Sequence, residues 1–593
     1  MDLIAPKDLL QAFPPLKVFG GEPLARIIYR AMKLDEVNRN YLEHEHEDPD
    51  TFIDSAYRVM QISHEVWNED LEKIPKEGPF ITVSNHPYGG PEGIILLNVL
   101  PKVRPDYRIL VNFLLTKMKP IQGYFMGVNP FETHRDVKSS FGGLKDAFLH
   151  IQQGHPLGIF PAGEVSTYHF KNRAISDKEW QHSILKLIKK AHVPVVPIYF
   201  EGHNGNFFHF LGMIHPLLRT ARLPSELFNK KGKVFRIRIG SPVPVKEQDE
   251  YRDITEYGRF LRLKTYALGL SYKKPRKHFT ISFSHPAPVI PPVDQNMILE
   301  EIEKIRKDYL LLCVKENSVF CVPTEKIPVI MSEIGRLREI TYRDVGEGTR
   351  KALDIDPYDP YFEQLFVWDD EEKKLVGGYR IGKGETILKR SGMKGFYITS
   401  LFNISKKFAP VLQVSMELGR SFVVKDYQRR ALSLFLLWKG ILYILLKHPA
   451  YRYLIGPVSI SNEFREVSKS LTVACLRHHH MNTEFAEFIR PKREFKEKID
   501  RIIDLPLFLR HVDSDISRLD KFIQDIDPAF KTPILLKKYL SVNSEILGFN
   551  VDPLFNYCLD ALTILDLFEL PRDTIETLSK EFNDQSILER FKK

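Results

Sequence analysis

FITVSNHPYGGPEG, residues 80–93, places a strand pattern directly before a histidine, a pair of glycines and an acidic residue. The apolar run from Phe80 to Asn85 lacks in/out alternation, which is typical of a strand covered on both faces. Glycines after such a strand let the chain turn tightly and bring the His86 imidazole to the sheet edge. Two interpretations stay open: a turn whose histidine caps a helix, or proton transfer by His86 assisted by Glu92.

More runs of this kind follow, separated by helical patterns, and together they predict an α/β layer architecture for the first half of the chain. The runs are YRILVNF (107–113), PLGIFPAGE (156–164), VPVVPIYFEG (193–202) and VFRIRIGSPV (234–243). SYKKPRKHF (271–279) is basic and interrupted by a proline, so a domain boundary is predicted there. The first domain is therefore expected at residues 1–275.

A second α/β region is predicted after a linker at residues 276–320 that contains the helical stretch ILEEIEKIRKDYLLL (298–312). Its strands are expected around VFCVP (319–323), LVGGYRIG (375–382), GFYITSLF (395–402) and SFVVKDY (421–427). An apolar helix follows Arg429, and the last ninety residues have a mostly helical pattern. Residues 321–593 are expected to form this second domain with a helical C-terminal segment.

Composition excludes several classes of protein. The four cysteines are dispersed, which predicts neither a disulfide framework nor a zinc site; they are Cys313, Cys321, Cys475 and Cys558. The triplet at 478–480, HHH, is expected to be a surface feature rather than a metal site. MDLIAPKDLL at the N-terminus has no export-signal pattern, and ALSLFLLWKGILYILL (431–446) is too short and interrupted to span a bilayer. The net charge of +9 permits attraction to anionic surfaces without choosing among them.

In order and spacing, NHPYGGPEG, GIFPAGEVS and VPVVPIYFEG resemble the motifs of the glycerolipid acyltransferase family over roughly residues 55–245. The resemblance implies that His86 is the general base and Glu92 the acid that orients it. It implies that the acceptor is bound by Asn85, Gly89, Gly90, Phe160, Pro161, Gly163 and Glu164. Two departures from the family pattern are the five residues between His86 and Glu92 and the alanine at position 162. The second departure indicates an acceptor other than a phosphorylated glycerol.

The second half carries an ordered series of arginines and acids within RLREITYRDVGEG (336–348), ALDIDPYDPYFEQLFVWD (352–369), GGYRIG (377–382) and MELGRSFVVKDYQRR (416–430). This series resembles the N-acyltransferases that make lyso-ornithine lipid, often labelled hemolysins, which are similar to autoinducer synthases within the GNAT-like fold. The resemblance extends to PILLKKYLSVNSEILGFNVDPLFNYCLDAL (533–562). It implies a GNAT-like, autoinducer-synthase-like α/β domain.

Amide formation requires a base for the amine and groups that hold an amino acid. Glu417 can accept the amine proton, directly or through water. Arg338, Arg380 and Arg420 can hold a carboxylate, and Asp356 with Asp359 a cation. The alternatives are a solvated turn for the two aspartates and a structural ion-pair network for Glu417 with Arg420.

A third group of residues is predicted to bind the acyl carrier. Gln428, Arg429 and Arg430 precede the apolar helix and are candidates to meet the pantetheine phosphates of the carrier. Their alternative is a solvated basic start of the helix.

The two halves together predict a bifunctional acyltransferase of aminolipid synthesis, with ornithine as the leading amino acid and glycine, serine or a dipeptide as alternatives. Acyl carrier protein or coenzyme A is expected to supply the acyl thioester, with no permanently bound cofactor and no metal. The expected partners are acyl carrier protein and the inner face of the cytoplasmic membrane, approached peripherally from the cytoplasm, and not nucleic acid. The alternatives are a lysophospholipid O-acyltransferase with a non-catalytic C-terminal half and a membrane-lytic protein.

Overall fold

A computed structural model describes residues 21–31, 33–128, 137–170, 173–214, 223, 226, 229–273, 286–581 and 586–591. The predictions for the N-terminal ten residues and for most of the boundary at 271–279 lie outside the described residues. The chain divides into two compact units. Unit 1 comprises Met1–Lys274 with Asp500–Phe508, and unit 2 comprises Pro275–Ile499 with Leu509–Lys593.

Unit 1 is built on a seven-stranded sheet with the order β1-β9-β8-β2-β5-β3-β4. The unit's strands are β1 Ser63–Val66, β2 Ile81–Ser84, β3 Arg108–Asn112, β4 Phe125–Val128, β5 Leu157–Ile159, β6 Thr167–His169, β7 Ala174–Ser176, β8 Val195–Phe200 and β9 Val234–Ile239. Neighbouring sheet strands are parallel except β8 and β9, which are antiparallel. β6 and β7 form a separate hairpin.

The centre of this sheet is fully covered, as the apolar runs predicted. All four residues of β2 are buried, and β5 is equally buried. The helices of unit 1 are α1 Gly21–Ala31, α2 Leu34–His44, α3 Pro49–Met60, α4 Asn68–Leu71, α5 Pro91–Val99, α6 Val137–Gln152, α7 His182–Ala191, α8 Asn206–Ile214, α9 Val245–Gln248 and α10 Ile254–Ala267. Because β2, β5 and β8 are parallel, the segments after them meet at one edge of the sheet.

Unit 2 contains an eight-stranded sheet with the order β10-β11-β12-β13-β15-β16-β19-β18. The unit's strands are β10 Leu310–Val314, β11 Asn317–Pro323, β12 Glu363–Asp369, β13 Lys374–Lys383, β14 Phe402–Ile404, β15 Ser415–Val423, β16 Tyr453–Ile460, β17 Ile489–Pro491, β18 Glu545–Asp552 and β19 Cys558–Asp566. Every neighbouring pair in the large sheet is antiparallel except β15 and β16. β14 pairs with β17 in a small separate sheet.

The remaining helices are α11 Gln295–Tyr309, α12 Pro328–Asp344, α13 Gly384–Ser391, α14 Ile398–Leu401, α15 Ala409–Gln413, α16 Ala431–Lys447, α17 Glu466–His479, α18 Thr483–Ala486, α19 Leu505–Val512, α20 Ile516–Gln524, α21 Ile534–Leu540, α22 Arg572–Glu581 and α23 Ser586–Glu589. α16 is the predicted apolar helix, and its side chains contribute to the core against the sheet. None of the helices within the described residues combines the length and the apolar character needed to cross a bilayer.

Three segments differ from the sequence-based expectation. GFYITSLF begins at the last residue of a 3-10 turn, has four residues in α14 and only its last residue in a strand, because short apolar runs do not distinguish strand from buried helix. The predicted linker at 276–320 contains β10 and the start of β11, which belong to the sheet of unit 2. The last ninety residues are not mostly helical, since they supply β18 and β19 to the same sheet.

Candidate active sites

His86 and Glu92 lie together at the end of β2. The Nδ1 atom of His86 is 3.4 Å from Oε1 of Glu92, which is close enough for charge attraction but is not aligned as a hydrogen bond. Glu92 is fully buried at the start of α5, whereas the His86 side chain retains 18% of its exposure. With Nδ1 directed to the carboxylate, the opposite ring nitrogen is the one available to a substrate hydroxyl.

The turn between these residues holds the Glu92 carboxylate in place. Its two oxygens accept hydrogen bonds from the backbone N–H groups of Tyr88 (2.5 Å), Gly89 (3.0 and 3.2 Å) and Gly90 (3.0 Å). Burial would raise the pKa of Glu92, but the adjacent imidazole and these N–H groups lower it. Burial would likewise lower the pKa of His86, but the negative Glu92 raises it. Glu92 is thus an ionised partner that orients the imidazole.

The second motif of unit 1 lies against the histidine. The Phe160 ring is 4.5 Å from the His86 ring, centroid to centroid. Gly163 has φ of +68°, a left-handed conformation that favours glycine, and a Cβ there would come within 2.1 Å of the Gln181 amide, so that side chain would have to move. The Pro161 carbonyl accepts the Gln181 N–H at 3.0 Å. The FPAGE loop is therefore built tightly beside the imidazole.

Two predicted acceptor residues make contacts that sequence alone does not show. Asn85 is buried, and its amide exchanges hydrogen bonds of 2.7 and 3.0 Å with the backbone of Phe200. This pairing joins the ends of β2 and β8, and the substrate-binding role of Asn85 stays a prediction. Glu164 forms an ion pair of 2.8 Å with Lys178. This lysine follows the β6–β7 hairpin and places a cation beside the motif.

Asp177 connects the two loops of this site and was missed in the sequence. Its buried carboxylate accepts hydrogen bonds from the His86 backbone N–H (3.2 Å) and the Ser166 hydroxyl (2.5 Å). The Ser166 N–H in turn donates to the His86 carbonyl at 2.8 Å. Asp177 follows a short hairpin without any motif, so only tertiary structure brings it to His86.

Glu417 lies on β15 in unit 2 and is 1% exposed. Its oxygens accept hydrogen bonds from the backbone N–H groups of Tyr397 (3.0 Å) and Ile398 (2.7 Å), at the start of α14. Burial raises the pKa of Glu417 to about 7 despite these donors. A carboxylate with a pKa near 7 is suited to accept a proton at neutral pH.

The arginines and aspartates predicted to bind substrate form one buried network. Its ion pairs are Arg338–Asp359 (2.9 Å), Arg380–Asp356 (2.6 Å), Arg380–Asp359 (3.3 Å), Arg420–Asp356 (2.9 Å) and Arg420–Asp354 (3.1 Å). Asp354, which the sequence interpretation passed over, is the third acidic member. The most exposed side chains are Asp356 at 14% and Arg420 at 9%, so the network reaches solvent on that side.

The D-x-x-D segment is indeed a turn, but it is not solvated. The backbone N–H of Asp356 donates to the Asp359 carboxylate at 2.9 Å, and both carboxylates are also paired with arginines. Burial would raise the pKa of Asp359, yet the charges of Arg338 and Arg380 lower it to about 2. The carboxylates of both aspartates are therefore already paired with the protein's own arginines.

Arg420 occupies a bulge in β15. The register with β13 slips between Gly378 and Arg380, and Arg420 adopts φ of +50°, a left-handed conformation that is costly for an arginine. Its guanidinium lies 5.1 Å from the Tyr397 ring centre. The bulge turns this side chain toward Asp354 and Asp356, which a regular strand reading cannot predict.

β15 and β16 pair only from Ser415 to Glu417, at their N-terminal ends. Beyond this point β16 contains Pro457, which has no N–H for a ladder hydrogen bond. A narrow cavity lies at this divergence, bordered by Leu418, Ile455 and Trp438.

The candidate carrier residues lie at the start of α16. Gln428, Arg429 and Arg430 are exposed, and α16 begins at Ala431 without a side-chain cap from Arg430. The Gln428 amide donates to the Val423 carbonyl at 3.0 Å, and the Arg430 guanidinium lies 4.6 Å from the Tyr427 ring centre. Uncapped N–H groups next to two exposed arginines are suited to anions. The carrier role remains a prediction.

Comparison with known proteins agrees with this geometry in both units. Residues 17–275 match the acyltransferase family model, and residues 337–439 match the model of the acetyltransferase (GNAT) domain. The chain is an acyltransferase. The predicted α/β fold class, with an acyltransferase domain preceding a GNAT domain, is confirmed.

Several characterised proteins are similar to this acyltransferase. A glycine N(alpha)-acyltransferase of Bacteroides thetaiotaomicron is 29% identical over 295 residues, covering 47% of this chain and 80% of the relative. A lyso-glycine lipid O-acyltransferase of the same organism is 28% identical over 224 residues, covering 37% and 79%. The crystal structure of the 1-acyl-sn-glycerophosphate acyltransferase PlsC from Thermotoga maritima aligns with 16% identity and a TM-score of 0.24, covering 43% of this chain and 90% of its own.

Proposed function

We propose that this acyltransferase makes a diacylated amino-acid lipid in two steps, one in each unit. Unit 2 joins a 3-hydroxyacyl group to the amine of an amino acid, and unit 1 then acylates the 3-hydroxyl. The observation that carries the proposal is the presence of two separate buried carboxylate sites in one chain, one paired with an imidazole and one with a pKa near 7. Relatives named for N-acylation and for O-acylation of glycine lipids support this pairing.

Each step balances with the residues present. In unit 2 the amine attacks the thioester carbonyl, Glu417 takes the amine proton, and the thiolate leaves and is protonated. In unit 1 the hydroxyl oxygen attacks a second thioester while His86 takes its proton, which later reaches the departing thiolate. Glu92 stabilises the imidazolium that forms between these events. Acyl carrier protein is the proposed donor of both acyl groups, and coenzyme A thioesters are the alternative.

The amino acid proposed is glycine, rather than ornithine as first expected from the sequence. The three aspartates near Glu417 are balanced by three arginines, which are Arg338, Arg380 and Arg420. Each of these three aspartates already meets an arginine, so none of them is left to hold a second, side-chain ammonium. An amino acid whose side chain carries no charge meets no such requirement, and the names of the relatives support the same choice.

The product is an amphiphile, so we also propose peripheral attachment to the inner face of the cytoplasmic membrane. The candidate membrane surface consists of exposed apolar side chains of unit 1: Phe170, Phe207, Phe210 and Met213, with exposures of 71, 58, 51 and 44%. Phe207, Phe210 and Met213 follow each other at three-residue intervals on α8, and α8 contacts β6, which ends just before Phe170. The net charge of +9 favours an anionic surface.

The test is expression of the whole chain in a bacterium without aminolipids, fed isotopically labelled glycine or labelled ornithine. Mass spectrometry of the lipid extract is expected to find label from glycine in a mono-acylated and a diacylated product. A chain carrying both His86→Ala and Glu417→Gln is the matched control and should yield neither lipid. Label from ornithine alone would change the proposed amino acid. Lysophosphatidate acylation without any amino-acid lipid would support the alternative O-acyltransferase function.

A further inference from the structure

Lys233 places a positive charge beside the turn between His86 and Glu92 in unit 1, and the proposed reaction does not yet use this charge. Its ammonium lies 4.3 Å from the centre of the Tyr88 ring and 5.6 Å from that of Phe235. Within the described part of the chain it forms no ion pair with a carboxylate. The side chain is half-buried. Burial lowers the pKa of Lys233 and the charge of nearby Lys230 adds to the effect, whereas the charges of Glu201 and Glu92 oppose it. Neither carboxylate forms an ion pair with Lys233 among the described residues, so a bound anion would stabilise this half-buried ammonium further.

The fold places Lys233 at the edge of the sheet that carries His86. β2 and β8 are parallel, so the His86 turn and the end of β8 lie at the same edge. β9 is antiparallel to β8, so its first residue, Val234, begins at this edge, directly after Lys233. A Cβ on Gly202, just after β8, would lie 2.0 Å from the Tyr88 hydroxyl and 3.5 Å from the Lys233 ammonium.

A second lysine adds to the positive charge at this position. Lys230 is buried, lies 5.5 Å from the centre of the same Tyr88 ring, and pairs with Glu226 at 3.1 Å. Lys230 is ion-paired with Glu226, whereas Lys233 has no ion-paired carboxylate among the described residues. Tyr88 itself is held by its hydroxyl, which donates to the Glu201 carbonyl at 2.7 Å. The ring of Tyr88, two positions after His86 in the sequence, is therefore fixed beside the Lys233 ammonium.

We propose that Lys233 binds the carboxylate of the O-acylation acceptor and so makes unit 1 selective for an N-acyl amino acid. The inference rests on the proposed function, in which that acceptor carries a free carboxylate and a 3-hydroxyl. In N-(3-hydroxyacyl)glycine, six covalent bonds join the hydroxyl oxygen to the carboxylate carbon, about 7 Å when extended. β9 stands two strands from β2, a spacing of about 10 Å. By this spacing, a molecule of this length with a hydrogen bond at each end is long enough to reach from the end of the strand that carries His86 to the end of the strand that follows Lys233.

The experiment compares two acceptors with the purified full chain and one acyl-thioester donor. N-(3-hydroxyacyl)glycine carries the carboxylate, and its carboxamide has the same shape without the charge. The unaltered chain is expected to prefer the acid. Lys233→Met should lower kcat/KM for the acid about tenfold or more, leave the amide unchanged and leave the KM of the donor unchanged. Unchanged activity on the amide shows that the fold and the His86 site are intact.

Two further variants sharpen the result. Lys233→Arg should retain most of the preference for the acid, because it retains the charge. Lys231→Met is the matched control, since Lys231 is exposed on the same loop, and it should alter neither ratio. An acid-to-amide ratio that is the same in Lys233→Met and in the unaltered chain would overturn the inference while leaving the proposed function in place. Failure of the unaltered chain to acylate either acceptor, with activity only on 1-acylglycerol 3-phosphate, would overturn both.

Discussion

Glu92 in unit 1 and Glu417 in unit 2 are both buried glutamates whose oxygens accept hydrogen bonds from consecutive backbone N–H groups, yet their pKa values move in opposite directions. Both lose their hydration, and both are 1% exposed or less. Glu92 has an imidazole at 3.4 Å, and the pKa of Glu92 is lowered. Among the described residues Glu417 has no such ion-paired partner, since the arginines near it are paired with aspartates, and burial raises its pKa to about 7.

The comparison shows why the pKa of a buried carboxylate falls in unit 1 and rises in unit 2. Backbone donors alone do not compensate for burial, because Glu417 has two of them and its pKa still rises. A nearby group that becomes positively charged does, as His86 does for Glu92. The same residue type is therefore suited to the two roles proposed for it, orienting a histidine in unit 1 and accepting a proton in unit 2.

The largest expected effect is that of His86→Ala on O-acylation. Loss of the imidazole removes the base for the hydroxyl, so the rate should fall by about three orders of magnitude or more. N-acylation by unit 2 in the same chain is the internal control and should be unchanged. In cells the mono-acylated lipid should accumulate, as measured by mass spectrometry. A normal amount of diacylated lipid would show that another group deprotonates the hydroxyl.

Glu417→Gln should have a somewhat smaller effect, on N-acylation only. The amide cannot take the amine proton, so the rate is expected to fall by roughly 10²- to 10³-fold. O-acylation of supplied N-(3-hydroxyacyl)glycine should persist in this variant and show that unit 1 is intact. In cells both lipids should disappear, because the second step lacks its acceptor. Full N-acylation by this variant would reduce Glu417 to a structural carboxylate.

Much of this comparison could be predicted from sequence, and the exceptions have physical causes. His86, Glu92 and Glu417 lie in local motifs beside apolar runs. The sequence therefore predicts both their candidate roles and the strands that carry or precede them. Asp177 and Lys233 reach the His86 site through sheet order, and nothing near them in sequence indicates this. The bulge at Arg420 depends on the register between β13 and β15, which a single strand does not reveal.

The function of the aspartates was also beyond the sequence. D-x-x-D predicts carboxylates at a turn, and it does not show which cation they meet. The structure pairs Asp356 with Arg380 and Arg420, so the choice between a substrate cation and the protein's own cations required tertiary contacts. Asn85 is a similar case, since its amide is satisfied by the backbone of Phe200 on β8.

The pH dependence of the two reactions sharpens the contrast between the carboxylates. A general base acts only when unprotonated, so each rate should fall as pH drops below the pKa of its base. Because the pKa of Glu417 is raised to about 7, N-acylation should decline about tenfold per unit below pH 7. The pKa of His86 is raised by Glu92, so the decline of O-acylation should begin above the ordinary histidine value of about 6.5.

Variants show which residue causes the decline of each rate at low pH. In Glu417→Gln, the residual rate of N-acylation should no longer decline below pH 7. Any decline of that rate caused by protonation of the substrate amine should remain. In Glu92→Gln, the O-acylation rate should begin to fall at a lower pH. The charge that raises the pKa of His86 is then missing, whereas burial still lowers this pKa. If the O-acylation rate of Glu92→Gln begins to fall at the same pH as that of the unaltered chain, the role of Glu92 as the charged partner of His86 is contradicted.

The smallest expected effect concerns the exposed apolar surface of unit 1, which has no counterpart in the chemistry. Phe207→Ser with Phe210→Ser removes two aromatic side chains that are 58 and 51% exposed on α8. Loss of their burial in lipid should weaken binding to vesicles containing anionic lipid about tenfold in a co-sedimentation assay. Leu554→Ser is the matched control, since Leu554 is 81% exposed in unit 2 and lies outside this surface. Activity on short, soluble acceptors should stay unchanged, because α8 presents apolar area rather than a base. Vesicle binding that is equal in the α8 variant and the control would assign membrane contact to another surface.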